Sequence, residues 1–339
     1  MLPMMPFESM SKKPFSALPC FRLSFIHMRK TVFTLLLAAT LLSPVFAMTP
    51  VIANDIEMQP EWMTKQLNGM LKEVLPNFQV FSYKDEATGL SVDYNLFVPE
   101  DCEEGKEYPM VVFIGDARTV GDDPLIPLEQ GFGGVIWATG KEQARHPAFV
   151  LVPQFPVTIL NETGMTDYVR LVPRLIEQVG KDYAVDLKRV YCTGQSMGCM
   201  SLLYLAANNP GLFAAGLFVD GQWNIDELEG LEDVPFIYMT AGGDERASAG
   251  QTEVKNRFKE KDIPFIEING LDANSGNLNA VFKVLFQEGS KHYFLTWQKG
   301  SVLFPVSEGK RVNEHVCSFN YGYTTAVLRD WLFEQAVSD

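Results

Sequence analysis

The chain has 339 residues, 47% of them hydrophobic, with a mean hydropathy near zero and a formal net charge of −14. That much apolar sequence fills the core of one large α/β domain or two small ones and excludes a disordered chain. The acidic excess argues against nucleic acid and against an anionic membrane surface as partners.

The first 47 residues differ in kind from the rest. Met28-Arg29-Lys30 is a short basic region, Thr31 to Ser43 is an apolar run of thirteen, and Val45-Phe46-Ala47 supplies small residues for a cleavage site. This is the pattern of a secretory signal peptide, too short for a membrane span and followed by polar sequence. Translation is expected to start at Met28, with 1–27 an upstream extension, and 48–339 is expected to be one exported domain, periplasmic or secreted. Its 23 Lys and Arg against 41 Asp and Glu give −18. No cysteine stands directly after Ala47, so a lipid anchor and a stable membrane association after cleavage are not expected. Cys102, Cys192, Cys199 and Cys317 can pair in three ways, and spacing does not choose among them. No spacing resembles a metal site, and no cofactor motif occurs.

Residues 55–75 carry Met63, Leu67, Met70 and Leu71 on one helical stripe and predict a surface helix. Phe78 to Tyr83 and Leu90 to Val98 predict a hairpin around Glu86-Ala87-Thr88-Gly89. Tyr108 to Ile114 and Ala148 to Val152 are continuous apolar runs of the kind buried on both faces of a parallel sheet. Thr166 to Val179 predicts a helix closed by Gly180, with a kink or a late start at Pro173.

Arg189 to Asn208 holds the most informative stretch. Val190, Tyr191 and Cys192 lead into Gly194-Gln195-Ser196-Met197-Gly198, and Met197, Met200, Leu203, Tyr204 and Ala207 then recur at helical spacing. Strand, glycine-flanked serine and helix form the context of a nucleophile elbow. The serine must stand clear of the sheet on a strained turn, and strand and helix approach too closely there for side chains at Gly194 and Gly198. The helix start aims its free N–H groups at a developing oxyanion.

Beyond the elbow, Ala214 to Val219, Pro235 to Thr240, Pro264 to Ile268 and His292 to Trp297 predict strands. Gln251 to Lys261, Leu278 to Phe286 and Thr324 to Ala336 predict helices. The alternation gives a mostly parallel α/β sheet with helices on both faces. The segment Gly270 to Gly289 is expected to contribute a wall of the site.

A serine hydroxyl needs a base to take its proton and an acid to orient that base. His146 precedes the nucleophile, and His292 begins an apolar strand. His315 lies in the polar loop Glu308 to Ser318 after the last strand, where the base belongs in Ser…Asp…His order. Asp244, in the loop ending Pro235 to Thr240, is the expected acid, with Glu245 and Asp220 as competitors. The oxyanion donors are expected to be the backbone N–H of Met197 and that of Asp116 or Ala117.

The segment SMGCMSLLYLAANNPGLFAAG resembles the S-M-G-G-x6-A-x3-P-x2-F-A-A region of secreted α/β-hydrolase esterases. That group is polyhydroxybutyrate-depolymerase-like and feruloyl or acetylxylan esterase-like, and includes peptidases related to prolyl oligopeptidase. The resemblance runs from Leu90 through Arg329-Asp330-Trp331-Leu332-Phe333 and places Ser196, Asp244 and His315 on the family's triad positions. It implies an α/β-hydrolase fold and a serine carboxylesterase acting on acylated carbohydrate or small esters. A peptidase, or an impaired hydrolase fold used for binding, is the alternative. Two departures stand out: Ile114-Gly115 replaces the family's His-Gly, followed by Asp116-Ala117, and Cys199 replaces a glycine. Asp116 is expected to disfavour anionic substrates, and Trp223, Trp297 and Phe319 to line an aromatic acyl pocket.

Overall fold

A computed structural model describes residues 57–100, 102–161 and 164–337. The signal-peptide reading therefore lies outside the described residues. Tyr108–Ile114 (β3) is buried at all seven positions, as its unbroken apolar run predicts. Its side chains alternate between two core layers: Met110, Val112 and Ile114 face one, Val111 and Phe113 the other. That alternation requires helices on both faces of the sheet, and they are there.

In chain order the strands of the main sheet are β1 (Phe78–Lys84), β2 (Ser91–Phe97), β3, β4 (Phe149–Gln154), β5 (Val185–Gln195), β6 (Ala215–Val219), β7 (Phe236–Ala241), β8 (Ile266–Leu271) and β9 (His292–Trp297). They form one open sheet in the order β1-β2-β4-β3-β5-β6-β7-β9-β8. β2 is antiparallel to β1 and to β4, and the remaining pairs are parallel. The C-terminal ends of the parallel strands therefore share one edge of the sheet, where such folds place their sites.

The longer helices are α1 (Glu61–Val74), α2 (Asp167–Asp182), α3 (Met197–Asn208), α4 (Glu245–Glu260) and α5 (Leu278–Phe286). Shorter ones after it include α6 (Glu314–Cys317) and α7 (Ala326–Phe333). α2, α3 and α4 pack on one core layer, α1, α5 and α7 on the other.

Three helix readings are corrected. α2 neither starts late nor ends at Gly180. Pro173 removes one backbone bond at a cost of about 3 kcal/mol, but six apolar side chains from Val169 to Val179 are buried at roughly 1.5–3 kcal/mol each, so packing wins. Gly180 is a contact residue, not a cap: a Cβ there would lie 2.8 Å from Leu187 Cδ2. α4 starts six residues before Gln251, because Asp244 caps it by accepting the Ala247 N–H at 3.2 Å. α5 packs against α7 through Phe286 and Trp331 and does not line the cavity at Ser196, so the expected wall at 270–289 is a core helix. Cys192, Cys199 and Cys317 are free thiols, which rules out all three pairings.

Candidate active site

β5 delivers the serine. Ser196 has φ 52° and ψ −118°, a backbone conformation costing about 1–3 kcal/mol that persists only where its surroundings enforce it. The enforcement is visible at both glycines. A Cβ on Gly198 would lie 1.9 Å from the Ile114 carbonyl oxygen, and one on Gly194 2.7 Å from the same atom. The backbones of β3 and α3 meet there with no room for a side chain.

His315 and Asp244 reach the same edge from α6 and from the N-terminus of α4. His315 Nε2 lies 2.9 Å from Ser196 Oγ, and His315 Nδ1 lies 2.5 Å from Asp244 Oδ2. Asp244 thus uses one oxygen to cap α4 and the other to hold the imidazole. Burial pushes His315 down, but the Asp244 hydrogen bond and the charges of Asp220, Asp244 and Asp116 outweigh it and raise its pKa above 6.5. Burial likewise works to raise Asp244, yet the His315 contact and the N–H groups opening α4 hold it below the usual carboxylate range.

Neither competitor bonds His315. Glu245 is exposed on α4. Asp220, fully buried after β6, accepts the Ala241 N–H at 2.7 Å and bonds the Ser318 hydroxyl. Burial pushes it up to about 7, against the pull of Ser318, His315 and Ala241. His146 lies 2.7 Å from Asp330 and stacks on Phe333, while His292 is buried against Phe236 and Phe258.

Met197 opens α3, and it and Ala117 border the cavity of about 400 Å3 that holds Ser196. The Asp116 N–H is taken by Gln130 Oε1 at 3.2 Å, which leaves Ala117 as the nearer match to the second oxyanion donor. The loop after Ile114 is held by Gln130, which also accepts from Gln195 Nε2 at 2.9 Å. Gln154 adds support by donating to the Thr119 and Gly121 carbonyls at 2.8 Å each. Glutamines thus supply support to the loop that lacks the family's histidine.

The structure bears on two expectations about substrate. The Asp116 carboxylate does not face the cavity as a free acid. It accepts from Arg118 through the backbone N–H and the guanidinium, 4% exposed at the side chain. None of the three aromatic residues lines the cavity. Trp297 is core against Tyr321, Phe319 is buried with its ring edge-on to His315 at 5.0 Å, and Trp223 donates to Glu227 at 2.6 Å.

One residue escaped the sequence reading. Glu314, 9% exposed, accepts the Gly243 N–H at 2.7 Å and the Gly300 N–H at 2.8 Å. It ties the loop of Asp244 to the turn after β9, from the position preceding His315. Only its place beside the histidine signalled it, and a polar loop offers many such glutamates.

No protein-family model and no curated protein matches the sequence. Among solved structures, the chain is similar to a thermostable esterase at 26% identity over 78% of this chain and 64% of that one, with a TM-score of 0.63. The chain has the α/β-hydrolase fold. It spans 64% of the length of that esterase. Similarity extends to S-formylglutathione hydrolase from Staphylococcus aureus (11% identity, 76% of this chain, 98% of that one, TM-score 0.49) and to a ferulic acid esterase (12%, 75%, 99%, 0.46). Within this α/β-hydrolase, no helix among the described residues is long and apolar enough to cross a membrane.

Proposed function

We propose that this α/β-hydrolase is an exported serine carboxylesterase acting on small esters, with acylated carbohydrate as the substrate class that the sequence resemblance suggests. One observation carries the reading: a continuous Ser196–His315–Asp244 hydrogen-bond chain at the mouth of a cavity, with contacts of 2.9 and 2.5 Å. In this reading Ser196 Oγ attacks the ester carbonyl while His315 Nε2 takes its proton. Asp244 holds the tautomer and stabilises the imidazolium. The oxyanion is met by the Met197 N–H and the Ala117 N–H. His315 then protonates the leaving alcohol, and water hydrolyses the acyl-enzyme by the same relay. The similarity to a thermostable esterase supports ester over amide chemistry, and the basic, apolar and small-residue order of Met28 to Ala47 supports export.

The test is hydrolysis of a short p-nitrophenyl ester by the purified protein, with Ser196→Ala alongside. Expected is turnover that falls at least about 10³-fold in the variant. Folded protein that neither turns over the ester nor is labelled by a fluorophosphonate removes the enzyme reading.

A further inference from the structure

The cavity at Ser196 has a chemically divided lining. Ala117, Leu160, Met197 and Met200 are apolar, whereas Gln222 and Arg246 bring polar groups that the serine relay does not use. Arg246 differs from seven other arginines of this acidic protein. Arg118, Arg145, Arg170, Arg174, Arg189, Arg257 and Arg329 each pair with a carboxylate. Arg246 has no ion pair among the described residues, although acids outnumber bases 42 to 28 in the chain. It is also the second residue of α4, where a cation opposes the helix dipole at a cost of the order that an acid there would gain. A residue that breaks a local rule at the rim of a reactive serine is a candidate for function.

Gln222 is placed with it. A Cβ on Gly250 would lie 2.1 Å from Gln222 Cβ, so Gln222 rests directly on α4. Gly250 follows Arg246 by four residues, on the same helix face. The Gln222 amide makes no hydrogen bond among the described residues and borders the same cavity. The nearby carboxylates each have a partner of their own, Asp116 in Arg118, Asp244 in His315, and Asp220 in Ala241 and Ser318, although their charge is still felt at His315.

We propose that Arg246 and Gln222 form a carboxylate subsite, so that the ester cleaved at Ser196 carries a negative charge on its acyl or its alcohol part. The guanidinium offers a planar pair of donors matched to a carboxylate, and the amide adds a further donor. This rests on the esterase reading and names its substrate class. It runs against the expectation from Asp116, whose carboxylate is paired with Arg118.

Two matched ester pairs test it. The p-nitrophenyl monoester of adipic acid against p-nitrophenyl hexanoate places the charge on the acyl side. 4-Acetoxybenzoate against 4-acetoxybenzamide places it on the alcohol side. The readout is the ratio of kcat/KM, anionic over neutral, in the native protein, Arg246→Gln and Arg246→Lys. In one pair the native protein favours the anion, and Arg246→Gln lowers the ratio by about two- to fivefold, the size of one ion pair at an exposed guanidinium. Lys retains part of it, and added salt shrinks the native ratio. A ratio unchanged by Arg246→Gln in both pairs, with neutral esters still turned over, overturns the subsite and leaves the esterase reading standing. No turnover of any of the four esters by the native protein removes both.

Discussion

Glu314→Gln separates the chemistry of the serine relay from the scaffold that aligns it. The carboxylate spans two backbone donors, Gly243 N at 2.7 Å and Gly300 N at 2.8 Å, with no cation beside it among the described residues. Gly243 precedes Asp244 and Glu314 precedes His315, so one side chain sets the spacing of acid and base. It fits so closely that a Cβ on Gly243 would lie 2.1 Å from Glu314 Oε1. Hydrogen bonds to a charged group contribute about 1.5–3 kcal/mol each. Glutamine keeps one acceptor and turns an NH2 toward the second N–H, so one bond is lost, about 2–3 kcal/mol. For a chain of this size that lowers Tm by roughly 3–5 °C. Because the released loop carries Asp244, kcat is expected to fall about 10–100-fold, the scale of a displacement near 1 Å, while KM changes less than about twofold. Thermal unfolding and steady-state ester hydrolysis read the two effects separately. A native kcat at reduced Tm would mean that Glu314 braces the fold and does not align the relay. An unchanged Tm would refute the two bonds themselves.

Two further predictions concern protons. The base form of His315 is the active one, and its pKa is raised above 6.5, so the acid limb of kcat/KM has its midpoint above pH 6.5. Asp244→Asn moves that limb down and lowers kcat by about 10⁴-fold; a limb that stays in place would take the histidine out of the rate. The same raised pKa makes the His315 contribution to stability complete below its unfolded value and lost as pH climbs through its folded one. Asp220, raised from 3.8 to about 7 by burial, behaves with the same sign: the folded protein holds the proton, and stability falls between those two values by up to about 4 kcal/mol. Asp220→Asn preserves the shape and removes the ionisation, so urea unfolding finds its stability relative to the native protein increasing from pH 4 to pH 7. Parallel stability curves would mean that Asp220 does not titrate there.

What the sequence made legible follows a physical division. Strands buried on both faces announce themselves by unbroken apolar runs, so Tyr108–Ile114 and His292–Trp297 were bounded to the residue. The elbow was legible because sterics leave only glycine at positions 194 and 198. The start of α4 was not, because Glu245 to Gly250 carries no apolar period; its register is set by the Asp244 cap, a single hydrogen bond that periodicity does not report. The order of β9 and β8 at the sheet edge is likewise silent in a string of alternating elements. The aromatic acyl pocket failed for a different reason. Trp297 and Phe319 stand near the site along the chain, yet large apolar rings gain most by full burial, and both went into the core. Among the side chains at the cavity are the buried Met197, the partly buried Met200 and Leu160, a glutamine and an arginine without an acid among the described residues. Substrate preference therefore has to be read from the residues that packing and pairing left over, and in this chain those point to an anion.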